Sequence, residues 1–351
     1  MHCPTLSELP SPPPGKTGWP WTEESLQMPD PMPNRSPWPR VSIVTPSFNQ
    51  AQFIEETIRS VLLQGYSDLE YIIIDGGSTD GSVEIIRKYE LWLAYWVSEK
   101  DRGQSHAINK GFRWSTGEVL AWLNSDDLYE PMALQGVVVA QKTHPSAVLH
   151  YGNFSVVDAA GTQIDKVPGA YTRQKLLEFW RGYYGIGQPA SFYTRHLVET
   201  IGLIDDSLKY IMDYEFFLRA GAVGEFAFLD RSLARFRVHH ASKTGSSIAY
   251  FAEEHVRVAS KLGAIPELPN HSAYMGQVRR YYASTLVKSV LEGISFHGRH
   301  RTRVMAEALL NDPALLRQPW VWRLLVKCAI GSRWTEILEK ARHTLSNAQP
   351  R

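Results

Sequence analysis

The sequence predicts an α/β fold, with a mainly parallel sheet flanked by helices and a C-terminal helical appendage. Between Val41 and Leu123, short runs of β-branched and aromatic residues alternate with stretches of helical periodicity, a pattern typical of right-handed βαβ units with parallel strands. After Ile248 the pattern changes to amphipathic helices without acidic clusters or glycine-rich loops. We therefore divide the chain into a Pro/Trp-rich extension (1–39), an α/β domain (40–247) and a helical region (248–351).

Each element of the regular half is predicted from its own pattern. Strands are expected at Val41–Thr45 (closed by Pro46), Tyr71–Ile74, Ala94–Ser98 and Val119–Leu123, and helices at 53–62, 82–89 and 105–114. The carboxyl ends of parallel strands meet at one edge of a sheet, where open α/β folds bind ligands. The polar loops Thr45–Asn49, Asp75–Asp80 and Asn124–Asp127 should therefore line one crevice.

The second half is less regular. Short strands are expected at 147–151, 154–157, 163–167 and 191–193, and helices at 172–180 and from Asp213. Four further helices are expected at 249–262, 274–296, 302–310 and 320–328.

Composition excludes several classes of protein. The 351 residues are 44% hydrophobic and 21% charged, with a formal charge of +1, which argues against nucleic-acid binding through bulk electrostatics. Cys3 and Cys328 lie at opposite ends, so neither a disulfide framework nor a cysteine zinc site is expected. We find no signal peptide and no apolar run of about 18 residues that would cross a bilayer, and we expect a cytoplasmic protein.

The N-terminal extension is rich in proline and contains Trp19, Trp21 and Trp38. Proline favours extended chain over helix, and we expect the tryptophan-containing part to lie along the surface of the folded domain. Gly15-Lys16-Thr17 is similar to the end of a phosphate-binding loop. Because Pro10 stands where that motif requires its first glycine, and no strand precedes it, we exclude this interpretation.

The loops at the predicted crevice carry residues suited to a nucleotide diphosphate. Asp126 and Asp127 follow a strand directly, and carboxylates combined with substrate phosphates suit Mg²⁺ or Mn²⁺. Alternatively, the two aspartates cap the next helix. Asp75 can accept a hydrogen bond from a base or ribose, and Gly77 permits close approach of the backbone; the alternative for Gly76–Gly81 is a plain turn with Asp80 as a cap.

Four segments together resemble the successive signatures of family 2 glycosyltransferases. They are Val41–Asn49 (VSIVTPSFN), Asp75–Asp80 (DGGSTD), Asn109–Gly111 (NKG) and Asn124–Asp127 (NSDD), in the family's order and spacing. The resemblance, which covers residues 41 to 247, implies a GT-A fold and an inverting transfer of sugar from a nucleotide-diphosphate sugar. It implies a UDP-sugar donor, a glycan or lipid-linked glycan acceptor in cell-surface polysaccharide synthesis, and Mn²⁺ or Mg²⁺ as cofactor.

The resemblance also implies roles for individual residues. Asp126 falls on the principal metal ligand, and His239 matches a histidine that reaches the metal or the diphosphate, although a lone histidine is usually structural. Asn124 replaces the first acid of the Asp-x-Asp motif and carries no charge. The nucleotide-sugar is expected to contact Thr45, Pro46, Ser47, Asn49, Asp75, Gly77, Arg102, Asn109, Asn124 and Ser125. For Arg102 the alternative is a solvated loop charge.

Asp213 is the expected catalytic base. Inversion requires one carboxylate to accept the proton of the acceptor hydroxyl while a metal neutralises the leaving diphosphate, and the family places that carboxylate in the segment 210–219. Met212 stands where an acid usually precedes the base. Alternatively, Asp213 is a helix N-cap and Glu215 is a first-turn acid favoured by the helix dipole.

Other functions remain open at this point. A nucleotidyltransferase would predict a glycine- and Lys/Arg-rich loop after the first strand, and Pro46–Gln50 has neither feature. A third alternative, supported by the changes at Asn124 and Met212 but secondary to the transferase, is a non-catalytic binding or interaction protein that retains the fold. A processive polysaccharide synthase would need membrane helices and a Gln-x-x-Arg-Trp motif, but Ile330 stands in place of the glutamine before Arg333-Trp334.

The C-terminal helices are the other candidate for a functional surface. Trp320, Trp322, Leu324 and Leu325 lie beside Arg323 and Lys327. Such a stripe either packs in a core or on a partner, or rests on an anionic membrane. The second interpretation predicts peripheral contact with the inner face of the membrane.

Overall fold

The computed structural model describes residues 3–29, 37–169, 171–182, 185–240, 242–243, 248–261, 270–292 and 301–330. The chain divides into two compact units, Met1–Ser242 and Lys243–Arg351. The N-terminal extension thus belongs to the first unit. The boundary predicted at residue 247, the predicted helix end at Phe296 and the Arg333-Trp334 pair lie outside the described residues.

The first unit alternates strands and helices. Its first half contains β1 (Val41–Ser47), α1 (Ile54–Leu62), β2 (Leu69–Asp75), α2 (Ser82–Lys88), β3 (Tyr95–Ser98), α3 (Gln104–Trp114), β4 (Val119–Trp122), β5 (Leu128–Tyr129) and α4 (Ala133–Thr143). Its second half contains β6 (Leu149–Val157), β7 (Gln163–Val167), α5 (Arg173–Leu177), β8 (Ser191–Thr194), α6 (Arg195–Ile201), α7 (Met212–Val223) and β9 (Phe226–Arg237). Short 3₁₀ turns span Glu90–Trp92, Phe179–Arg181 and Gln188–Ala190.

The described strands form one sheet in the order β3-β2-β1-β4-β8-β6-β9-β5, with β7 added to β6. The first four strands run parallel, so β1, β2 and β4 end at the same edge. Beyond them, β8 is antiparallel to both β4 and β6, whereas β6 and β9 are parallel. The predicted α/β fold class, with its flanking helices and C-terminal helical region, is confirmed.

The parallel strands read as continuous apolar runs because helices cover both faces of the sheet. Every residue of β1 is buried, and Ile54, Ile58 and Leu62 of α1 join the same core. Helix α3 packs closely on β1 at Gly111, where a Cβ atom would lie 2.3 Å from Cγ1 of Val44. The last glycine of the NKG segment therefore permits helix–strand contact.

The structure corrects several predicted boundaries. Pro46 does not end β1, because it pairs in register with Ile74 and the strand continues to Ser47. The two strands predicted at 147–151 and 154–157 are the single strand β6, whose register against β9 shifts at Gly152 and Asn153. Helices α4 and α6 and most of β9 were not predicted.

The N-terminal strap (residues 3–29) is an integral part of the core rather than a surface layer. Its buried hydrophobic side chains are Cys3, Leu9, Trp19 and Trp21. Arg59 of α1, which is fully buried, donates hydrogen bonds to the carbonyl oxygens of Pro10 (2.8 Å), Pro20 (3.0 Å) and Trp21 (3.0 Å). A buried guanidinium requires such partners, so the strap and α1 depend on each other.

The second unit is helical. It contains α8 (Ile248–Lys261), α9 (His271–Leu291), α10 (Arg301–Asn311), a 3₁₀ turn (Pro313–Arg317) and α11 (Pro319–Ile330). Its core includes Ala252, Leu286, Met305 and Val321. Among the described residues, none of the helices combines the length and apolar character needed to cross a bilayer.

Candidate active site

Asp75, the last residue of β2, organises the loop that follows it. Its carboxylate is fully buried and accepts hydrogen bonds from the N–H groups of Gly77 (3.0 Å) and Ser78 (2.8 Å). It also accepts from the hydroxyl groups of Ser78 (2.5 Å) and Ser98 (2.7 Å). Asp75 therefore fixes the glycine-containing loop from inside, and its predicted contact with a base stays a prediction.

The loop after β1 is bound to the loop after β2. Asn49, at a positive φ of 53°, donates its N–H to the Ser78 hydroxyl (2.7 Å) and accepts from the N–H of Thr79 (3.0 Å). Ala51 donates its N–H to the carboxylate of Asp80 (2.9 Å). These contacts hold the two loops as one rim at the carboxyl edge of the sheet.

The predicted residues of β1 differ in accessibility. Thr45 and Pro46 are buried, and the hydroxyl of Thr45 lies 3.0 Å from that of Tyr71. Ser47 is 4% exposed, and its hydroxyl has no hydrogen-bond partner among the described residues. The neighbouring Phe48, which sequence reasoning missed, is 59% exposed; an aromatic residue directly after a buried strand was the available signal.

The two adjacent aspartates have separate environments. Asp127 is fully buried and accepts from the N–H of Arg237 (2.9 Å) and the amide of Asn124 (3.1 Å). Burial, together with the negative charge of Asp126, raises the pKa of Asp127 well above its ordinary value. Asp126 is partly exposed, and its Oδ2 lies 3.0 Å from Nε2 of His239. Asp127 supports the loop, whereas Asp126 is open to a ligand.

Asn124 is the centre of an amide network. Its Oδ1 accepts from Nε2 of Gln104 (2.6 Å), and its Nδ2 donates to Asp127 (3.1 Å) and Gln188 (3.2 Å). An amide satisfies this pattern because it donates and accepts at once. A carboxylate at position 124 would instead face the carboxylate of Asp127. Ser125 is buried.

Arg237 holds the loop of Asp126 from behind. Its guanidinium is 2% exposed and donates to the carbonyl oxygens of Asp126 (2.8 Å) and Ala159 (3.1 Å) and to the carboxylate of Glu56 (2.9 Å). We call this arrangement the Arg237 clamp. It fixes the backbone of Asp126 to β9 and to α1.

Helix α1 adds a second support that sequence reasoning missed. The hydroxyl of Thr57 lies 2.9 Å from the carbonyl oxygen of Ser125 and 2.8 Å from that of Asp127. Thr57, Arg59 and Ser60 are polar, whereas the other buried residues of α1 are apolar. Buried polar residues among apolar ones require partners, and this was the signal in the sequence.

The ring of His239 is held on two sides. It is 4% exposed, and its centroid lies 4.7 Å from that of Phe53. The backbone N–H of His239 donates to the Ser242 hydroxyl (3.0 Å), and the N–H of Ser242 donates back to the carbonyl of His239 (2.9 Å). The imidazole nitrogen beside Asp126 is thus fixed in position.

Arg102 and Asn109 both bind the segment that precedes α7. Arg102, with a side chain 72% exposed, forms an ion pair with Asp206 (2.7 Å). Asn109 is 4% exposed and exchanges hydrogen bonds with the backbone of Ile204 (2.8 and 3.0 Å). The geometry of Asn109 favours a supporting role over the predicted contact with a nucleotide-sugar.

Asp213 lies in the first turn of α7. The helix begins at Met212, so Asp213 is not its N-cap. Glu215 forms two hydrogen bonds with Arg219 (2.7 and 2.8 Å) and is committed to that pair. Burial, and to a lesser extent the negative charge of Asp213, raises the pKa of Tyr193 well above its usual value.

The start of α3 connects the two candidate carboxylates. Gln104 binds Asn124, two residues before Asp126, while the hydroxyl of Ser105 lies 2.6 Å from Sδ of Met212, directly before Asp213. The loop of Asp126 and the N-terminus of α7 therefore both contact the same helical turn. The structure thus brings Asp126 and Asp213 to neighbouring elements.

Asp126 and His239 are the pair that could hold a divalent ion. The described residues contain no group of three or more His, Cys, Asp or Glu side chains placed to bind a metal. Two protein donors suit an ion that is completed by substrate phosphates and water, as Mg²⁺ sites often are. Oxygen and imidazole donors also suit Mn²⁺.

Comparison with known proteins identifies the family. The model of Glycosyl transferase family 2 matches residues 42–201. An uncharacterised glycosyltransferase of Mycobacterium tuberculosis is 34% identical over 188 residues, which is 53% of this chain and 71% of the relative.

Two solved structures share the fold. S. aureus TarS 1–349, in complex with UDP-GlcNAc, has a TM-score of 0.58 and 16% identity over 78% of this chain and 81% of that one. The mannosyltransferase PcManGT from Pyrobaculum calidifontis, in complex with GDP-Man and Mn²⁺, has a TM-score of 0.50 and 18% identity over 90% and 91%. The chain therefore belongs to glycosyltransferase family 2 and is a glycosyltransferase with a GT-A fold.

Proposed function

We propose that the protein transfers a sugar, with inversion, from a nucleotide-diphosphate sugar to a hydroxyl group of a glycan or lipid-linked glycan. The observation that carries this proposal is the pair formed by Asp126 and His239, whose side chains are 3.0 Å apart at the carboxyl edge of the sheet. The pair lies at the same edge of the sheet as the joined loops that follow β1 and β2, where a ligand crevice is expected.

The nucleotide would bind on that rim. In the part of the chain that the structure describes, the buried hydroxyl of Ser47 has no partner. A ligand group would satisfy it, since buried hydroxyls are rarely left unpaired. The exposed ring of Phe48 suits stacking on a base. Asp75 and Gly77 present an ordered loop to the base and ribose. A UDP-sugar is the proposed donor, as in the TarS complex with UDP-GlcNAc.

Asp126 and His239 would hold Mn²⁺ or Mg²⁺ together with the diphosphate. The bound ion would supply positive charge to the leaving diphosphate, and the PcManGT complex with Mn²⁺ supports this role. Asn124, engaged by neighbouring side chains, orients the loop rather than ligating the ion. A contact of Arg102 with the diphosphate would first break its exposed ion pair with Asp206, at a cost of at most about 1 kcal/mol.

Asp213 would act as the base. Its carboxylate accepts the proton of the acceptor hydroxyl as that oxygen attacks the anomeric carbon, and the bond from that carbon to the diphosphate breaks on the opposite face. Glu215 is committed to Arg219, which favours Asp213 as the acid of this segment. The thioether of Met212 adds no second charge beside it.

The test combines donor binding with product analysis. We expect one member of a nucleotide-sugar panel to bind in the presence of Mn²⁺, and the binding to weaken roughly 10–100-fold in Asp126→Ala. The matched control is Asp165→Ala on the exposed strand β7. Transfer releases a nucleoside diphosphate, whereas a nucleotidyltransferase would release pyrophosphate. Equal donor affinity in Asp126→Ala and the parent protein would refute the metal assignment.

A further inference from the structure

Helix α11 carries apolar side chains on two opposite faces. Val321 and Cys328 are buried in the core of the second unit. Trp322 and Val326, one helical turn apart on the other side, are 55% and 53% exposed. An amphipathic helix would present polar residues there. Within the described part of the second unit, nothing covers this side of α11.

The exposed apolar surface extends beyond the helix into the turn before it. We call it the α11 face, and it consists of Leu316, Trp320, Trp322 and Val326, all exposed. The indole N–H of Trp322 donates to the carbonyl oxygen of Leu316 (2.9 Å), which fixes the turn against the helix. Single exposed hydrophobic residues are ordinary, but a grouped set indicates an interaction surface.

The charges around the α11 face are predominantly positive. Arg317 and Arg323 are exposed within it, and Arg301 is exposed beside the far end of α11, where its charge acts on Cys328. The nearby acids are engaged elsewhere. Glu307 accepts a hydrogen bond from a tyrosine hydroxyl (2.6 Å), and Asp312 accepts from the N–H of the turn that follows it (3.2 Å).

We propose that the α11 face binds the surface of an anionic lipid bilayer, with the helix lying in the plane of the interface. Tryptophan rings favour the headgroup region, where the ring is buried and the N–H stays polar. Arginines attract anionic headgroups. Over its 12 described residues, α11 is about 18 Å long, a length suited to lie flat in the interface.

Charge favours a bilayer over a second copy of this chain. A symmetric contact through the α11 face would bring Arg317 and Arg323 of two copies to the same interface, where like charges repel. Anionic lipids neutralise the arginines and accept the apolar side chains at once. A membrane position would also suit a lipid-linked acceptor, but the proposal does not depend on one.

The test measures flotation of the full chain with vesicles and uses neither donor nor acceptor, so its failure leaves the proposed transferase function untouched. We expect binding to phosphatidylcholine vesicles containing about one third phosphatidylglycerol, weak binding to phosphatidylcholine alone, and weakening by salt. Because each arginine contributes roughly a fivefold factor, Arg317→Glu combined with Arg323→Glu should reduce binding by about 25-fold or more.

Apolar variants and a matched control complete the design. Trp320→Ser with Val326→Ser should reduce binding without changing the circular dichroism spectrum. Leu91→Ser with Arg113→Glu alters exposed residues of the first unit and should leave binding unchanged. Failure to bind anionic vesicles at low salt, or an equal loss in the control pair, would overturn the proposal. A concentration-dependent dimer abolished by Val326→Ser would assign the face to a second copy instead.

Discussion

Replacing Arg237 by lysine tests whether one buried guanidinium positions the loop of Asp126. The guanidinium reaches the carbonyl oxygens of Asp126 and Ala159 and the carboxylate of Glu56. Lysine keeps the charge but has a compact ammonium group without the planar fork. The ammonium group can donate to one of these three acceptors, and the other two are left without a donor.

The magnitude follows from the acceptors that are left unpaired. Each buried acceptor without a partner costs about 1–3 kcal/mol, so the two acceptors left by Arg237→Lys should lower the free energy of unfolding by about 2–6 kcal/mol. Release of the Asp126 backbone should also raise the donor KM measured with metal, with a smaller effect on kcat. The control Arg40→Lys alters an exposed pair with Asp68 and should cost less than about 1 kcal/mol.

Urea denaturation and donor titration of the same variants separate the two effects. A double-mutant cycle with Glu56→Gln should give a coupling energy of about 1 kcal/mol or more, since the two side chains are in direct contact. Unchanged stability would refute the estimate. A stability loss with unaltered donor KM would show that Arg237 stabilises the fold without positioning Asp126.

Three further predictions concern single side chains. Asn124→Asp restores the family's usual acid but places it about 3 Å from the Asp127 carboxylate. Thermal unfolding should therefore show a destabilisation that grows with pH. A variant more stable than the parent protein would contradict the amide network. Asp213→Asn should lower kcat by about 10²–10⁴-fold at unchanged donor affinity, whereas Glu215→Gln should chiefly lower Tm. If steady-state kinetics instead showed the large loss of kcat in Glu215→Gln and not in Asp213→Asn, Glu215 would be the base. Burial lowers the pKa of His150 from 6.5 to about 4. The free energy of unfolding should therefore fall by about 3 kcal/mol as the pH drops from 6.5 to about 4, because in that window only the unfolded state binds a proton on this imidazole. His150→Leu should remove that part of the urea-denaturation profile, and an identical profile would argue against a neutral buried imidazole.

The parallel half of the sheet could be predicted because its signals are local. Each of β1, β2 and β4 is an apolar run that ends in a polar loop. Strand β9 was missed because its sequence, FAFLDRSLARFR, mixes charged and apolar residues without strict alternation. Its placement depends on pairing with β6 and β5, and a tertiary constraint of this kind leaves little trace in the sequence itself.

The site divides in the same way. Asp126 and His239 occupy recognisable motif positions. The structure brings their side chains into contact although the two residues are 113 positions apart in the sequence. The carbonyl partners of Arg237 and Thr57 could not be anticipated, because they depend on which backbone groups come within reach after folding. Asn109 shows the converse, since a motif position turned out to bind the backbone of Ile204.

The N-terminal strap limits how far the N-terminus of this enzyme can be trimmed without loss of folding. The family match starts at Ser42, so a chain trimmed to that span would lack Pro10, Pro20 and Trp21, the three backbone acceptors of Arg59. The trimmed chain would lose these three hydrogen bonds and would expose to water the core surface that Cys3, Leu9 and Trp19 cover. Homology alone would therefore set the minimal folding length too short, and the residues ahead of the shared fold are needed for the helix that supports the site.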